Sequence, residues 1–273
     1  MEIKALKKFG QNFLKNKTKL EEIAQAADIS AGDVIIEIGP GHGELTEELR
    51  SKNKEVRVVA IEKDERLVKE LRGKIYGLGW NNVEVISDDA LKILKSYTLN
   101  LKSYKIVGNI PYYITGHLFR IISELENKPE RLVFTVQKEV AERICAKPGE
   151  MNLLSASIQI WSKPEIVSYI PKTDFEPVPK VDSAVIRLTT NDLQLTIEEF
   201  GKYYDFIHLL FKQPRKTILN NLRLTTYDKR QVADNHKFLI KKLESWGINP
   251  KARPQDLNVE KIVELSKLLE SSS

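Results

Sequence analysis

Short apolar runs alternate with amphipathic stretches along the first half of the chain. The runs cover residues 34–38, 56–61, 83–86, 104–107 and 131–136, each the length of one strand. Between them, residues 44–52, 65–73 and 117–125 space their apolar positions as a helix does. Residues 18–28 precede the first run and carry Leu20, Ile23, Ala24 and Ala27 at helical spacing, with Thr18 placed to cap the start. Such strand–helix alternation predicts right-handed crossovers and a mainly parallel sheet.

Past residue 150 the pattern changes. Residues 153–160, 165–170 and 184–188 read as strands joined without clear helices, which predicts antiparallel pairing there. The composition breaks at Thr189-Thr190-Asn191-Asp192. Beyond it, residues 197–211, 216–222, 229–246 and 259–269 are helical in pattern. The expected fold class is α/β: a mainly parallel sheet with antiparallel strands at its C-terminal edge, plus a smaller all-α C-terminal domain. The expected domains are residues 1–190 and 191–273.

Composition narrows the function classes. The chain has 273 residues, 41% hydrophobic and 30% charged, which suits a globular protein. Lysines and arginines number 43 against 38 acids, a mild basic excess that fits a polyanionic partner. Six lysines (4, 7, 8, 15, 17 and 19) stand in the first 19 residues against the single acid Glu2. Read alone, this is equally a solvated basic tail. Cys145 is the only cysteine, so no intramolecular disulfide and no cysteine metal cluster is expected, and a reducing, cytoplasmic compartment is the natural reading. Four histidines lie far apart without metal-ligand spacing. No apolar run approaches the roughly 20 residues of a membrane span.

The chemistry-bearing residues sit at strand ends. Glu37-Ile38-Gly39-Pro40-Gly41-His42-Gly43 follows the first sheet strand and leads into a helix. Its spacing is Gly-x-Gly-x-Gly, and Glu44 stands where a dinucleotide fingerprint needs its third glycine. Glu37 argues against a pyrophosphate and for a cationic amino-acid portion. The next strand ends at Glu62, 23 residues after Gly39, where an acid can take both hydroxyls of a ribose. Asp88-Asp89-Ala90 ends the third strand, where a carboxylate can accept from an adenine amine. The fourth leads into Asn109-Ile110-Pro111-Tyr112-Tyr113. The Asn109 amide and the Pro111 carbonyl are two hydrogen-bond acceptors, and a Tyr112 ring can stack on a base. Two acceptors on an exocyclic amine favour its pyramidal, nucleophilic form in a transition state. Alone, Asn-Ile-Pro-Tyr is equally a strand-ending turn. Four such features at successive strand ends favour a nucleoside-type site.

These segments resemble the small-subunit rRNA adenine dimethyltransferases. The likeness is carried by Phe9-Gly10-Gln11-Asn12-Phe13-Leu14, Glu37-Ile38-Gly39-Pro40-Gly41, Asn109-Ile110-Pro111-Tyr112, Gln137-Lys138-Glu139-Val140-Ala141 and residues 175–185. It extends to residues 211–222 and to Gly247-Ile248-Asn249-Pro250-Lys251-Ala252-Arg253-Pro254, nearly the whole chain. The resemblance implies a Rossmann-like class I methyltransferase dependent on S-adenosylmethionine, with a helical rRNA-binding C-terminal domain. The implied substrate is two adjacent adenosines near the 3′ end of small-subunit rRNA within the assembling ribosomal subunit, each dimethylated on N6. The implied enzyme is a monomer without a metal.

Position by position, the resemblance implies that Gln11, Asn12 and Leu14 close over the cofactor while Gly39 and Gly41 lie beneath it. Glu62 would hold the ribose, and Asp89 with Ala90 the adenine. Asn109 and the Pro111 carbonyl would orient the target amine, Tyr112 would stack on the target base, and Phe175 would approach that base. For Phe13 and Phe175 core packing competes with these roles, and for Gln11 and Asn12 helix capping does. Lys15, Lys17, Arg215 and Lys216 are expected to contact RNA along one track. Two positions depart from the family pattern. Tyr113 stands where the family usually has Asn, and Pro214-Arg215-Lys216 replaces Arg-Arg-Lys, one cation fewer.

Three other readings compete. A resistance-type methyltransferase of large-subunit rRNA shares the cofactor motifs and Asn-Ile-Pro-Tyr, but residues 175–185 and Gly247-Ile248-Asn249-Pro250 favour the small-subunit enzyme. A non-catalytic RNA-binding protein on this fold would be expected to lack Glu62, Asp89 or Asn109, and all are present. A protein-glutamine methyltransferase uses Asn-Pro-Pro-Tyr, and position 110 here is Ile.

Overall fold

The computed structural model describes residues 3–191, 196–222 and 232–270. A two-residue strand, β1 (Phe13–Leu14), leads to helix α1 (Lys17–Ala26). The cap of α1 is Asn16 and not Thr18: the extended backbone of Asn16 lets its side chain accept from the Lys19 amide. Strands and helices then alternate as β2 (Val34–Ile38), α2 (Glu44–Ser51), β3 (Arg57–Glu62), α3 (Glu65–Leu78), β4 (Val83–Ser87), α4 (Ala90–Thr98), β5 (Lys105–Asn109), α5 (Thr115–Ser123), β6 (Arg131–Gln137) and α6 (Lys138–Ile144). Next come α7 (Leu153–Gln159), β7 (Ser162–Ile170), β8 (Phe175–Glu176) and β9 (Ser183–Thr190). Helices α8 (Ile197–Leu210), α9 (Ile218–Leu222), α10 (Val232–Ser245) and α11 (Val259–Glu270) complete the described chain. Residues 229–231 of the expected helix 229–246 lie outside the described residues.

Seven strands form one sheet in the order β4-β3-β2-β5-β6-β9-β7. The first five are parallel, and β9 pairs antiparallel with both β6 and β7. The mainly parallel sheet with antiparallel strands at its C-terminal edge is therefore the observed architecture. The order reverses at β2, which has β3 on one side and β5 on the other. Ligands of open α/β sheets bind at such a reversal, beyond the carboxyl ends of the strands.

The central strands read as continuous apolar runs because both of their faces are covered. Ile35, Ile36, Val58, Val59, Ile106 and Val107 are fully buried. Helices α1 and α2 lay Leu20, Ile23, Leu45 and Leu49 on Ile35, Val58 and Val107. A second cluster joins Val68 and Leu71 of α3 to Trp80, Ala60 and Val85. The outer strand β7 instead alternates half-buried and exposed positions between its buried ends and tolerates Pro164, as an edge strand does.

The chain divides into two compact units. One comprises Met1–Glu142 with Ser162–Asn191, and the other Arg143–Trp161 with Asp192–Ser273. The second unit thus takes residues 143–161 from inside the range expected for the first domain. It also corrects an expected strand: residues 153–160 form α7 instead. Asn152 accepts from the amides of Leu154 and Ser155 while the Ser155 hydroxyl accepts from the Asn152 amide, a reciprocal cap that starts a helix. Ser155, Ala156 and Ile158 are then buried on it, and Tyr203 of α8 donates to the Ala156 carbonyl at 3.1 Å.

Candidate active site

One cavity opens at the carboxyl ends of β2, β3, β4 and β5. Gln11, Asn12, Leu14, Gly39, Gly41, Glu62, Asp89, Ala90, Asn109, Pro111 and Tyr112 all line it. Residues more than a hundred positions apart thus meet at one place, which four unrelated turns would not produce.

The glycine loop forms its floor. Gly39 has φ +70, where a side chain is strained, and a Cβ there would project into space with no protein atom within 4 Å. A ligand can therefore lie directly on this backbone. Glu37 does not line the cavity, contrary to the expectation that it meets a cationic ligand. Its side chain is sealed among the core residues, where Thr46 of α2 donates to Oε2 at 2.6 Å and Oε1 has no partner. Burial pushes its carboxyl up to about 8, with the Thr46 hydrogen bond opposing, so it is largely protonated at neutral pH.

Two acids ring the cavity from the next strand ends. Glu62 is 8% exposed; its Oε2 accepts from the Gly41 amide at 3.3 Å and its Oε1 from the Asp64 amide at 2.8 Å. Burial raises its pKa against those amides. Backbone donors fix the carboxylate while leaving lone pairs for hydroxyl donors, since a carboxylate offers about four acceptor sites. Asp89 caps α4, its Oδ1 accepting from the Leu91 amide at 3.1 Å and its Oδ2 from Lys63 Nζ at 2.7 Å. Burial pushes its pKa up, but Lys63, the Leu91 amide and Lys92 together hold it below the ordinary value. A charged acceptor at this position suits an exocyclic amine donor.

An N-terminal segment forms the cavity's rim and is tied down at several points. The Asn109 Nδ2 group donates to the Asn12 carbonyl at 2.9 Å, which leaves Asn109 Oδ1 as the acceptor. Gln11 uses both ends of its amide on protein: Oε1 accepts from the Leu6 amide at 2.7 Å and Nε2 donates to Asp64 Oδ2 at 3.1 Å. Arg66 grips Asp64 at 2.6 Å and also reaches the Lys4 carbonyl at 3.4 Å. The Arg66 guanidinium, against the cost of burial, holds the Asp64 carboxyl down to about 2. Sequence reading missed Asp64; its place before Glu65 marks it as a helix cap, but its hold on Gln11 is a tertiary contact.

On the β5 side, the Pro111 carbonyl accepts from the Ile114 amide at 3.1 Å and keeps a second lone pair. Tyr112 shares a 2.6 Å hydrogen bond with Ser183, which fixes its ring at the cavity wall, and burial raises its phenol pKa. Phe175, expected to approach the target base, does not line the cavity. It is 3% exposed, pairs with Leu14 between β8 and β1, and packs in the core outside the cavity. The aromatic that lines the cavity from that side is Phe13, whose ring centroid lies 4.4 Å from that of His42.

The expected RNA contacts are on the surface. Lys15 pairs with Glu44 at 2.9 Å, and Lys17 is exposed at the start of α1. Arg215 and Lys216 are exposed just ahead of α9. Among the described residues, no group of three or more His, Cys, Asp or Glu is arranged to hold a metal ion. No helix of the described residues is long and apolar enough to cross a membrane.

Comparison with known proteins agrees with this geometry. The pattern of the ribosomal RNA adenine dimethylase family matches residues 3–270. Ribosomal RNA small subunit methyltransferase A of Dehalococcoides mccartyi is 38% identical over 262 residues, 94% of this chain and 86% of that protein. The protein of the same name from Mycoplasma mycoides is 34% identical over 277 residues, 99% of this chain and 100% of that protein. A solved dimethyladenosine transferase from Plasmodium falciparum has a TM-score of 0.78 at 26% identity, over 95% of this chain and 97% of that one. The 23S rRNA methyltransferase ErmE gives 0.72 at 27% identity, over 95% and 100%. With a class I methyltransferase sheet, a glycine-floored cavity at its reversal point and a family match over almost its full length, the chain belongs to the ribosomal RNA adenine dimethylases.

Proposed function

We infer that this protein transfers methyl groups from S-adenosylmethionine to the N6 amines of two adjacent adenosines near the 3′ end of small-subunit rRNA, within the assembling subunit. The observation that carries the chemistry is Asn109. Its amide nitrogen is committed to the Asn12 carbonyl, which leaves its oxygen as an acceptor, and Asn109 and Pro111 both line the cavity. The small-subunit assignment is supported by curated relatives at 38% and 34% identity that carry that name, against 27% for the large-subunit enzyme. The single cysteine and the basic excess suit a cytoplasmic RNA-binding enzyme, which we take to act as a monomer.

The cavity fits the cofactor by the open space above Gly39 and by two carboxylates at successive strand ends. Bound there, S-adenosylmethionine supplies an electrophilic methyl group and its own thioether leaving group. Glu62 accepts from the ribose hydroxyls and Asp89 from the adenine amine. Asn109 Oδ1 and the Pro111 carbonyl accept the two N–H bonds of the target amine, and Tyr112 supports the base face. With the cofactor held by these residues, its methyl group would pass to the amine nitrogen as the C–S bond breaks, and the displaced N–H proton would go to water. No strong base is required of the protein; its contribution is to hold the reacting atoms roughly 3–3.5 Å apart. The target adenosine must leave its stack to enter. Lys15, Lys17, Arg215 and Lys216 supply phosphate contacts.

The deciding experiment offers the protein labelled S-adenosylmethionine with unmethylated small or large subunits, then digests the RNA to nucleosides. Dimethyladenosine from small subunits is the expected product. Label confined to large subunits overturns the assignment in favour of the ErmE-like activity.

A further inference from the structure

Tyr113 lines the cavity, and the chemistry above gives it no role. It is 63% exposed yet lines the same cavity as Tyr112. The two tyrosines lie in a single 3₁₀ turn, Tyr112–Ile114, where neighbouring side chains point about 120° apart. Tyr112 is committed inward, to Ser183. Tyr113 is committed outward, over Gly10. A Cβ on Gly10 would lie 3.1 Å and 3.2 Å from ring atoms of Tyr113, so the bare backbone of the N-terminal rim seats that ring.

The surroundings of Tyr113 have the make-up of a single-strand nucleic-acid surface, aromatic rings interleaved with cations. Phe9, next to Gly10, also lines the cavity, and Lys8 Nζ stands 4.8 Å from its ring centroid. Lys63, exposed and paired with Asp89, also lines the cavity. An exposed aromatic is ordinary by itself; what sets Tyr113 apart is that it also lines the cavity. One base cannot lie on two rings that diverge by a third of a turn. The ring of Tyr112 is the wall of the target pocket, so the exposed part of the Tyr113 ring, away from Gly10, is left for a different base.

We propose that Tyr113 is a stacking subsite for the RNA base of a nucleotide adjoining the target adenosine. The inference rests on the proposed function and adds a second base-binding position to it. A flanking base held on Tyr113 would brace the strand while its neighbour is turned into the cavity. Tyr113 is a binding residue in this account and touches no reacting atom.

The test compares wild type with Tyr113→Phe and Tyr113→Leu in the full chain. Four quantities are read: binding of the demethylated cofactor by calorimetry, KM and kcat on unmethylated small subunits, affinity for a single-stranded oligoadenylate, and thermal stability. Tyr113→Phe keeps the π-face and should match wild type throughout. Tyr113→Leu should raise the KM for subunits and weaken oligoadenylate binding about tenfold, the scale of one lost base stack. Its cofactor affinity and stability should stay unchanged. Ultraviolet cross-linking should join Tyr113 to a nucleotide flanking the modified adenosine. Unchanged RNA affinity in Tyr113→Leu overturns the subsite. A parallel loss of cofactor affinity also overturns it, since Tyr113 would then act by seating Gly10. If wild type methylates no subunit, the proposed reaction fails by itself, and oligoadenylate binding still decides the role of Tyr113.

Discussion

Asn109 and Asn12 are 97 positions apart in the chain and joined by a 2.9 Å hydrogen bond from the side-chain amide of one to the main-chain carbonyl of the other. The bond fixes which end of the Asn109 amide faces the cavity, and it ties the rim of the site to the end of β5. Asn109→Ala should lower kcat by roughly 10²-fold or more, the scale of removing a transition-state hydrogen-bond group. Cofactor affinity should fall as well, by a smaller factor, because the rim loses an anchor. Rapid-quench turnover together with calorimetry separates the two effects. A variant with wild-type kcat would reduce the motif to a turn.

Glu62 is held by two backbone amides, which fix its carboxylate at the cavity. Glu62→Ala should therefore weaken S-adenosylmethionine binding by about 1–3 kcal/mol, the cost of hydrogen bonds lost to a charged group. Binding of NAD should be absent in both proteins. Calorimetric titration of the folded variant checks this, and an unchanged affinity would remove the ribose role.

Asp64 has its folded pKa near 2, below the ordinary 3.8. A depressed carboxyl contributes stability above its unfolded pKa and loses it as the pH falls through the folded value. The stability that the clamp on Gln11 and Arg66 contributes should thus be full above about pH 4 and be lost as the pH falls to about 2, where the carboxylate itself protonates. Asp64→Ala should loosen residues 4–11 even at neutral pH. Hydrogen exchange at the Leu6 amide, which now donates to Gln11, should speed up in the variant.

Glu37 titrates in the opposite sense. Its folded pKa of about 8 lies above the ordinary 4.5, so the folded state holds a proton that the unfolded chain has released. Stability from this group is full below about pH 4.5 and is lost as the pH rises to about 8, at up to about 1.4 kcal/mol per pH unit. Glu37→Gln should flatten that slope. Melting temperatures at pH 5 and pH 8 should differ less in the variant than in wild type, and equal differences would contradict a neutral buried acid.

Arg215 and Lys216 are exposed, and each phosphate contact contributes about one unit to the salt slope of binding. The double alanine variant should lower that slope by about two and leave cofactor binding unchanged. Filter binding of small-subunit rRNA over a salt series measures it.

Much of the first unit was legible because parallel strands buried on both faces leave unbroken apolar runs, and because Gly39, Glu62, Asp89 and Asn109 each sit where such a run stops. Residues 153–160 misled because their apolar positions fit a strand, and the deciding signal was the Asn152–Ser155 cap. Phe175 was illegible for another reason. The orientation of its ring is set by a pairing of two two-residue strands, β1 and β8, too short to leave any periodicity. Glu37 sits beside the glycine loop in sequence but lies two residues before Gly39, still within β2 and sealed in the core. The link from Gln11 to Asp64 spans 53 residues and leaves no local trace.

The reversal of strand order at β2 separates two tasks. Glu62 and Asp89 follow β3 and β4 on one side; Asn109, Pro111, Tyr112 and Tyr113 follow β5 on the other. On the proposed roles, donor recognition and acceptor recognition lie on opposite flanks of a single strand. With those roles, the stretch after β5 can be reworked to suit a new acceptor while the flank proposed to hold the methyl donor stays as it is. Modularity of this kind is a property of the connectivity, fixed before any particular side chain is chosen.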